Sequence, residues 1–175
     1  MSSSTSTRSA ETMDTAGLKF VDDLELADKT VFIRVDFNVP LEGGEVDDDL
    51  RIRAALPTIE YVHEHADKVV LASHLGRPGG ERVEELRMVP VGERLAELIN
   101  LDVLVPEELH GEFVQKLITD KIGERRVLLL ENLRFDPGEK AGDPEFSEAL
   151  ADLADVYVND AFGTCHRKHA SMYTM

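Results

Sequence analysis

The sequence predicts an α/β fold in which a parallel sheet of five to six strands is flanked by helices. Five short apolar runs recur along the chain, and stretches with apolar residues three and four positions apart separate them. Short continuous apolar runs are typical of strands buried on both faces, whereas the three-and-four spacing is typical of amphipathic helices. Because strands that alternate with helices form parallel sheets with right-handed crossovers, the predicted architecture is three-layered and Rossmann-like.

The first apolar run, TVFIRVDFNVP, shows this pattern most clearly. It begins with β-branched and apolar residues at Thr30 and ends in Asp36, Phe37 and Asn38. A run this short, followed by Pro40, indicates a buried strand over residues 30–37 rather than a helix. The other predicted strands are 69–72, 103–105, 127–130 and 156–158, and the predicted helices are about 50–65, 91–99, 111–119 and 144–154.

The charge balance excludes several classes of partner. Asp and Glu number 35, Lys and Arg number 19, and the net charge is −16. Nucleic acids and anionic membranes bind basic faces, so neither is an expected partner. With 12 Arg and 7 Lys, the acidic, Lys-poor composition resembles that of proteins from salt-loving organisms, where salt screens self-repulsion. We therefore expect a halophilic protein whose stability rises with salt.

The ends of the chain and its single cysteine indicate a cytoplasmic protein with one folded domain. Residues 1–16 are rich in Ser and Thr and lack an apolar signal-peptide core, so they are predicted to form a disordered extension. A single Cys165 cannot form an internal disulfide, which suits a reducing compartment. The domain is expected to span 17–175, and the residues that follow its fifth strand have no predicted partner element. The sequence contains no run of eighteen apolar residues, so no membrane span is predicted.

Polar side chains recur where the predicted strands end. Because the carboxyl ends of parallel strands meet at one edge of a sheet, we expect these side chains to converge there. Arginine presents a planar fork that matches phosphate or carboxylate, so the group predicts a pocket for a small, multiply charged anion. Two of them, Asp36 and Asn38, could take hydrogen bonds from a ligand hydroxyl group or from water. The group consists of Asp36, Asn38, Arg51, His74, Arg77, Arg134, His166 and Arg167.

Structural roles compete with this interpretation. Any single Arg in so acidic a chain could form a surface ion pair, and His74 alone could be a structural histidine. The pair His166 and His169 has the spacing of metal ligands on a helix but lacks further ligands at suitable spacing. Cys165 beside His166 does not make a catalytic dyad, because neighbours in sequence rarely face each other. Four Arg that follow the same topological rule favour anion binding, and no metal is predicted.

Two common nucleotide fingerprints are missing from the sequence. Neither G-x-x-x-x-G-K-[ST] nor G-x-G-x-x-G occurs, so no nucleotide site is recognisable. This absence disfavours a nicotinamide-dependent dehydrogenase. The acidic run at 47–49 lacks the twelve-residue spacing of a calcium loop and is interpreted as a solvated turn.

Five segments together resemble the phosphoglycerate kinase family. They are VFIRVDFNVP, DDLRIRAALPTI, VVLASHLGRP, VLLLENLRF and DVYVNDAFGTCHRKHAS, in family order and at family-like spacing from about residue 30 to 171. The resemblance implies an enzyme of glycolysis and gluconeogenesis with two α/β domains joined by a hinge. In that family the N-terminal domain binds 3-phosphoglycerate or 1,3-bisphosphoglycerate, and the C-terminal domain binds Mg-ATP or Mg-ADP. The kinase moves a phosphoryl group between 1,3-bisphosphoglycerate and ADP.

The resemblance also implies roles for residues that match the family motifs. Arg51 resembles the Arg that faces the reacting carboxyl group or acyl phosphate and is the expected catalytic residue. The strand-end segment of Asp36, Phe37 and Asn38 falls in the substrate-binding motif. A basic patch would hold the phosphate that is not transferred. The residues that match the anion loop and this patch are His74, Leu75, Gly76, Arg77, Arg134 and Arg167.

Two departures from the family pattern bound what the chain is expected to do. The nucleotide-binding domain is absent from this sequence, and Cys165 stands where the family usually has a small residue such as Ala. The chain therefore resembles the N-terminal, acid-substrate half of a kinase, a monomer whose partner is the C-terminal nucleotide domain. By itself it is expected to bind no cofactor and no metal. The alternative is a non-catalytic fragment that binds 3-phosphoglycerate and is inactive without the second domain.

Overall fold

Five parallel strands form the main sheet of the chain, within the residues that a computed structural model describes, 19–121, 126–164 and 168–175. In chain order the strands are β1 (Thr30–Val35), β2 (Leu41–Glu42), β3 (Glu45–Val46), β4 (Lys68–Ala72), β5 (Asp102–Leu104), β6 (Arg126–Leu129) and β7 (Val156–Asp160). The order across the main sheet is β5-β6-β4-β1-β7, and β2 pairs with β3 in a separate antiparallel hairpin. The α/β prediction with a parallel sheet is confirmed.

Helices cover both faces of this sheet. Alternate residues of a strand point to opposite faces, and β1 accordingly sends Val31 and Ile33 into one buried apolar cluster and Phe32 into another. The first cluster also contains side chains of α1 and α2, and the second contains side chains of α3 and α5. The fold therefore has three layers. The helices are α1 (Leu50–His65), α2 (Val89–Ile99), α3 (Glu112–Lys121), α4 (Pro137–Ala141) and α5 (Pro144–Ala151).

Two segments differ from the secondary structure that the sequence predicted. Strand β1 ends at Val35 rather than at residue 37, so the polar residues that follow it adopt an irregular conformation. The segment expected to be a loop around Pro137 contains α4, whose first turn is capped by the Asp136 carboxylate through a hydrogen bond from Gly138 N. Gly142, with φ +67°, ends this helix in the left-handed conformation. Five residues are too few to show a helical period, which explains why periodicity missed α4.

The C-terminal segment packs against α4 and α5, so the expectation that it lacks a partner element is wrong. It forms a π-helical turn, Ala170–Thr174. The Ser147 hydroxyl of α5 donates to the Ala170 carbonyl at 3.2 Å, and Ser171 N donates to the Glu139 carboxylate of α4 at 3.0 Å. These contacts are polar, so apolar periodicity could not reveal them.

Some predictions fall where the structure gives no description. The proposed disordered extension at 1–16 and the three residues Cys165, His166 and Arg167 lie outside the described residues. Among the helices in the described part of the chain, none is both long enough and apolar enough to cross a membrane.

Candidate anion-binding site

The segment after β1 is joined to the loop after β4 by two hydrogen bonds. Phe37 N donates to the Ser73 hydroxyl at 2.8 Å, and the Asn38 side-chain oxygen accepts from Gly76 N at 2.8 Å. Both strands are central in the sheet and pair in parallel register. The polar residues after the two strands therefore lie side by side at the carboxyl edge, as the topology of a parallel sheet requires.

Asn132 joins the loop after β4 to the segment after β6. Its side-chain oxygen accepts from the backbone N–H groups of Leu75 and Arg134, each at 3.1 Å. Its amide nitrogen donates to the carbonyls of Leu75 at 2.7 Å and Leu86 at 2.9 Å. The Arg134 guanidinium adds a hydrogen bond to the Gly76 carbonyl at 2.6 Å. Asn132 is fully buried with both amide groups bonded, so it fixes the loop that carries the candidate anion-binding residues.

Gly76 has a steric reason for its place in this loop. Its φ is +60°, a left-handed conformation that favours glycine. A Cβ atom at this position would lie 2.7 Å from Leu86 Cδ2, well inside van der Waals contact. Any side chain here would therefore strain the backbone and displace Leu86 from the loop.

A cavity of about 230 Å³ lies at this edge, and three basic side chains surround it. Arg77, Arg134 and Lys140 line it together with Gly79. Within the described part of the chain, neither Arg77 nor Lys140 forms an ion pair with an acidic side chain. A small cavity in which two of the three cations, Arg77 and Lys140, have no acidic partner within the described residues is suited to a small anion. We refer to these four residues as the basic cavity.

Asp36 and Arg51 form a second part of the site. The Arg51 guanidinium contacts the Oδ2 atom of Asp36, and about half of the Arg51 side chain is exposed. The other carboxylate oxygen, Asp36 Oδ1, is buried and has no hydrogen-bond partner within the described residues. Buried polar atoms are normally hydrogen-bonded, so this oxygen is a candidate acceptor for a ligand hydroxyl group.

A buried network of charged and polar side chains contacts His74. The His74 side chain is almost fully buried, and its Nδ1 atom lies 3.2 Å from an Nη atom of Arg34. Arg34 Nε donates to the Ser171 hydroxyl at 2.9 Å, and that hydroxyl donates to the Glu139 carboxylate at 2.7 Å. Both Arg34 and Glu139 are completely buried, 3.9 Å apart at their nearest charged atoms. The network connects β1, α4 and the C-terminal segment to the loop that follows β4.

The structure brings most of the residues predicted for the site to this edge of the sheet. The side chains of Phe37 and Leu75 are buried in the apolar core, so it is their backbone N–H groups that form the hydrogen bonds of the loop. Arg167 lies outside the described residues. The predicted residues found together at the carboxyl edge are Asp36, Phe37, Asn38, Arg51, His74, Leu75, Gly76, Arg77 and Arg134.

Sequence reasoning missed several residues that build this site. Arg34 gave a signal that could have been used, because an Arg inside an otherwise apolar strand needs a buried partner. Asn132 directly follows a predicted strand and could have been included on the same rule. Glu139 and Ser171 gave no local signal, since their partners are distant in sequence. Lys140 gave none because it lies on the short helix α4, which the sequence did not predict.

A larger cavity of about 780 Å³ lies elsewhere, next to the β2–β3 hairpin and α2. Its arginines are engaged: Arg53 Nε and Arg94 Nη2 bind the two oxygens of Asp49 at 2.8 and 2.6 Å. Hydrogen bonds from Arg53 and then Arg94 hold the pKa of Asp49 below its ordinary value. We call this the acidic cavity, and its charged lining residues are Glu45, Asp47, Asp48, Asp49, Arg53, Glu93, Arg94 and Glu97.

Comparison with known proteins identifies the family of this chain. A family model for phosphoglycerate kinase matches residues 21–175. The chain belongs to the phosphoglycerate kinase family. Its structure is similar to that of phosphoglycerate kinase from Coxiella burnetii, with 36% identity, a TM-score of 0.75, and coverage of 86% of this chain and 37% of that one. Phosphoglycerate kinase from Pyrococcus horikoshii OT3 gives 32% identity, a TM-score of 0.75, and coverage of 88% and 39%.

The family resemblance carried by the five sequence segments is thus confirmed. The chain accounts for 37% and 39% of the lengths of these two phosphoglycerate kinases. The comparisons show the family of this chain, whereas its ligand and the roles of its residues are proposals.

Proposed function

We propose that this chain supplies the 3-phosphoglycerate-binding half of a phosphoglycerate kinase. In the full enzyme the reaction moves a phosphoryl group between 1,3-bisphosphoglycerate and ADP, giving 3-phosphoglycerate and ATP. The observation that carries the proposal is the set of three cations around one small cavity at the carboxyl edge. We further propose a monomer acting in the cytoplasm in glycolysis and gluconeogenesis, with the family's C-terminal nucleotide domain as its partner.

The basic cavity is the proposed site of the phosphate that is not transferred. The guanidinium groups of Arg77 and Arg134 can each present parallel N–H donors to phosphate oxygens, and Lys140 adds a third cation. His74 and Arg167 are proposed to complete this site. Its volume of about 230 Å³ lies below the range of about 300–1,000 Å³ typical of pockets for larger organic ligands. This favours a phosphate group over a whole nucleotide.

The remaining residues are proposed to contact the rest of the substrate. Asp36 Oδ1, buried without a hydrogen-bond partner in the described chain, can accept a hydrogen bond from the substrate hydroxyl group. The Oδ1 atom of Asn38 is engaged by Gly76 N, so its Nδ2 is the atom that can donate to the ligand. Phe37, Leu75 and Gly76 shape this part of the site.

Arg51 is the proposed catalytic residue. One Nη atom contacts Asp36, which holds the side chain at the edge of the site while its half-exposed guanidinium can still donate elsewhere. A guanidinium beside the transferring group offsets the charge on its oxygens in the transition state. Phosphoryl transfer depends on such positioning and charge stabilisation rather than on covalent chemistry by the protein.

The acidic lining of the larger cavity is poorly suited to the phosphates of a nucleotide. In the described ranges no set of three or more His, Cys, Asp or Glu side chains is arranged to hold a metal ion. The acidic cavity is large enough for a bigger ligand but presents six carboxylates, which repel phosphates. We therefore propose that Mg-ATP and Mg-ADP bind the other domain, and we derive no step through them in this chain.

A turnover assay separates the enzyme from a non-catalytic binding fragment. Alone, the chain should bind 3-phosphoglycerate without turnover, and joining it to a family nucleotide domain should produce ATP-dependent phosphorylation of 3-phosphoglycerate. In the joined enzyme, Arg51→Ala should lower kcat by about 10²–10³-fold with little change in KM. Arg53→Ala, two residues further along α1 and in the acidic cavity, is the matched control. Equal losses in both variants, or no activity in the joined enzyme, would contradict the proposal.

A further inference from the structure

The contact between Arg34 and His74 restricts the proton positions on the imidazole. A neutral histidine has one ring nitrogen that donates and one that accepts, whereas both donate in the charged form. An arginine guanidinium carries only donors and stays protonated in proteins. An Nη atom of Arg34 faces His74 Nδ1 at 3.2 Å. The hydrogen bond therefore forms only when Nδ1 is the acceptor, which leaves the single ring proton on Nε2.

The guanidinium that imposes this arrangement is itself fixed. Arg34 Nε donates to the Ser171 hydroxyl, and another Nη donates to the Val35 carbonyl. Ser171 is in turn bound to Glu139 through its hydroxyl at 2.7 Å and its backbone N–H at 3.0 Å. Because these groups are buried, Arg34 cannot turn away without leaving donors and acceptors without partners.

Charged groups on several elements lie around the contact between Arg34 and His74. The cation of Arg34 on β1 is in contact with the ring, with an Nη atom 3.2 Å from Nδ1. The carboxylate of Glu139 on α4 lies 3.9 Å from Arg34 and 3.6 Å from Nδ1 of His169 in the C-terminal segment. Glu139 is thus engaged by Arg34, Ser171 and His169.

We propose that Arg34 is a positioning residue that holds His74 as the neutral tautomer with its proton on Nε2. In this form His74 adds no charge to the proposed phosphate site. The attraction for the anion comes from Arg77, Arg134 and Lys140. The part of this inference that concerns phosphate rests on the proposed function, whereas the tautomer is a property of the protein alone.

The test is nitrogen-15 NMR of the histidine rings in the full 175-residue chain, without ligand, at neutral pH. The His74 signals are assigned by their loss in His74→Gln, which separates them from those of the other five histidines. We expect Nδ1 to resonate as an unprotonated nitrogen and Nε2 as a protonated one. A protonated Nδ1, alone or together with Nε2, overturns the proposal.

Two variants test whether Arg34 is the cause. In Arg34→Met the N–H donor that faces Nδ1 of His74 is gone, so a proton on Nδ1 is no longer opposed by that donor. We expect the Nδ1 signal to shift to that of a protonated nitrogen, with Arg34→Lys, which keeps a cation and N–H donors, remaining like the unaltered chain. A His74 that stays unprotonated at Nδ1 in Arg34→Met overturns the causal role. If Arg34→Met does not fold, the spectra of the unaltered chain and of Arg34→Lys still decide the tautomer.

Addition of 3-phosphoglycerate to the same sample separates this inference from the proposed function. If both hold, the His74 Nε2 signal moves on binding while Nδ1 stays unprotonated. A neutral His74 whose signals do not respond to saturating ligand contradicts the proposed phosphate site and leaves the tautomer assignment intact. Ligand binding by a doubly protonated His74 contradicts the tautomer assignment and leaves the proposed function intact.

Discussion

The acidic cavity and the basic cavity differ in what their charged groups are bonded to. The acidic cavity is the larger, at about 780 Å³, and its arginines Arg53 and Arg94 are bound to carboxylates of the cavity. The basic cavity measures about 230 Å³, and within the described residues its Arg77 and Lys140 have no acidic partner. Volume would select the acidic cavity as the ligand site, whereas chemistry selects the basic one.

The two regions also differ in what supports their charged groups. Ion pairs of the acidic cavity lie at the surface, where solvent screens them. Near the basic cavity, Arg34 and Glu139 are completely buried and connected through Ser171. A buried charge network costs desolvation and requires every partner to be present. The loops around the proposed anion site are therefore supported by a buried charge network, whereas the charged groups of the acidic cavity form ion pairs at the solvated surface.

The largest expected effect is on the buried network. Glu139→Gln keeps the shape of the side chain but leaves the Arg34 cation buried without its carboxylate. We expect the free energy of unfolding to fall by about 3–5 kcal/mol, the usual cost of removing one partner of a buried ion pair. Glu97→Gln, which breaks the exposed pair with Arg94, should change stability very little. Equal midpoints for the two variants in urea denaturation would remove the distinction between the regions.

Binding should distinguish the two cavities in the same way. Arg77 is exposed and forms no ion pair in the described chain, so Arg77→Ala should weaken 3-phosphoglycerate binding by about 1.5–3 kcal/mol without loss of stability. Arg134→Ala should cost as much binding and also destabilise the loop, because Arg134 holds the Gly76 carbonyl. Arg94→Ala in the acidic cavity should leave the affinity unchanged. Calorimetric titration of the three variants provides the measurement, and an Arg94→Ala effect as large as that of Arg77→Ala would refute the assignment.

Two carboxyl groups should affect stability with opposite dependence on pH. Burial raises the pKa of Asp160 at the end of β7, partly opposed by a hydrogen bond from Thr58. Its contribution to stability is therefore present below the ordinary value of 3.8 and is lost as pH rises through the folded pKa. Asp49 has a lowered pKa, so its contribution is present above 3.8 and is lost as pH falls through the folded pKa.

Substitutions at these two positions test the signs. Relative to the unaltered chain, Asp160→Asn should gain stability as pH rises from below 3.8 toward neutrality. Asp49→Asn should be less stable at neutral pH, and the difference should vanish at low pH. Thermal unfolding across the acidic pH range measures both. The same direction of change in both variants would contradict the contrast between the burial of one carboxyl and the arginine pairing of the other.

Salt should act on folding stability and on ligand binding with opposite signs, and this is the smallest of the expected effects. Molar KCl screens the mutual repulsion of a chain with net charge −16, so its denaturant midpoint should rise. The same salt screens the attraction between the basic cavity and phosphate, so 3-phosphoglycerate should bind more weakly. A midpoint that is flat or falls between low and molar KCl would show that self-repulsion is unimportant for folding.

The sequence predicted the parallel sheet and the polar residues that follow its strands, because both depend on local patterns. Helix α1, Leu50–His65, was predicted at both ends from its apolar spacing. Strand β1 was predicted two residues too long, since Phe37 is apolar and buried yet belongs to the connection that follows Val35. Helix α4 has only five residues and shows no period, so it was missed.

The side chains that support the site could not be predicted from local patterns. Arg34 and Ser171 are 137 positions apart and meet only in the folded chain. Three of the four side-chain hydrogen bonds of Asn132 likewise depend on how two strand ends and a distant loop come together. Strand ends therefore indicated where the candidate site lies, whereas long-range hydrogen bonds determine how its loops are fixed.

The central claim is that this chain carries an anion site for 3-phosphoglycerate at its basic cavity and no site for a nucleotide. The most direct measurement is calorimetric titration of the folded 175-residue chain, in high salt, with 3-phosphoglycerate and separately with Mg-ATP. Affinity for 3-phosphoglycerate should be modest, because closure of a second domain that excludes water is missing. We predict saturable binding of 3-phosphoglycerate and no specific binding of Mg-ATP. Tight binding of Mg-ATP, or no binding of 3-phosphoglycerate by a chain shown to be folded, would contradict the account.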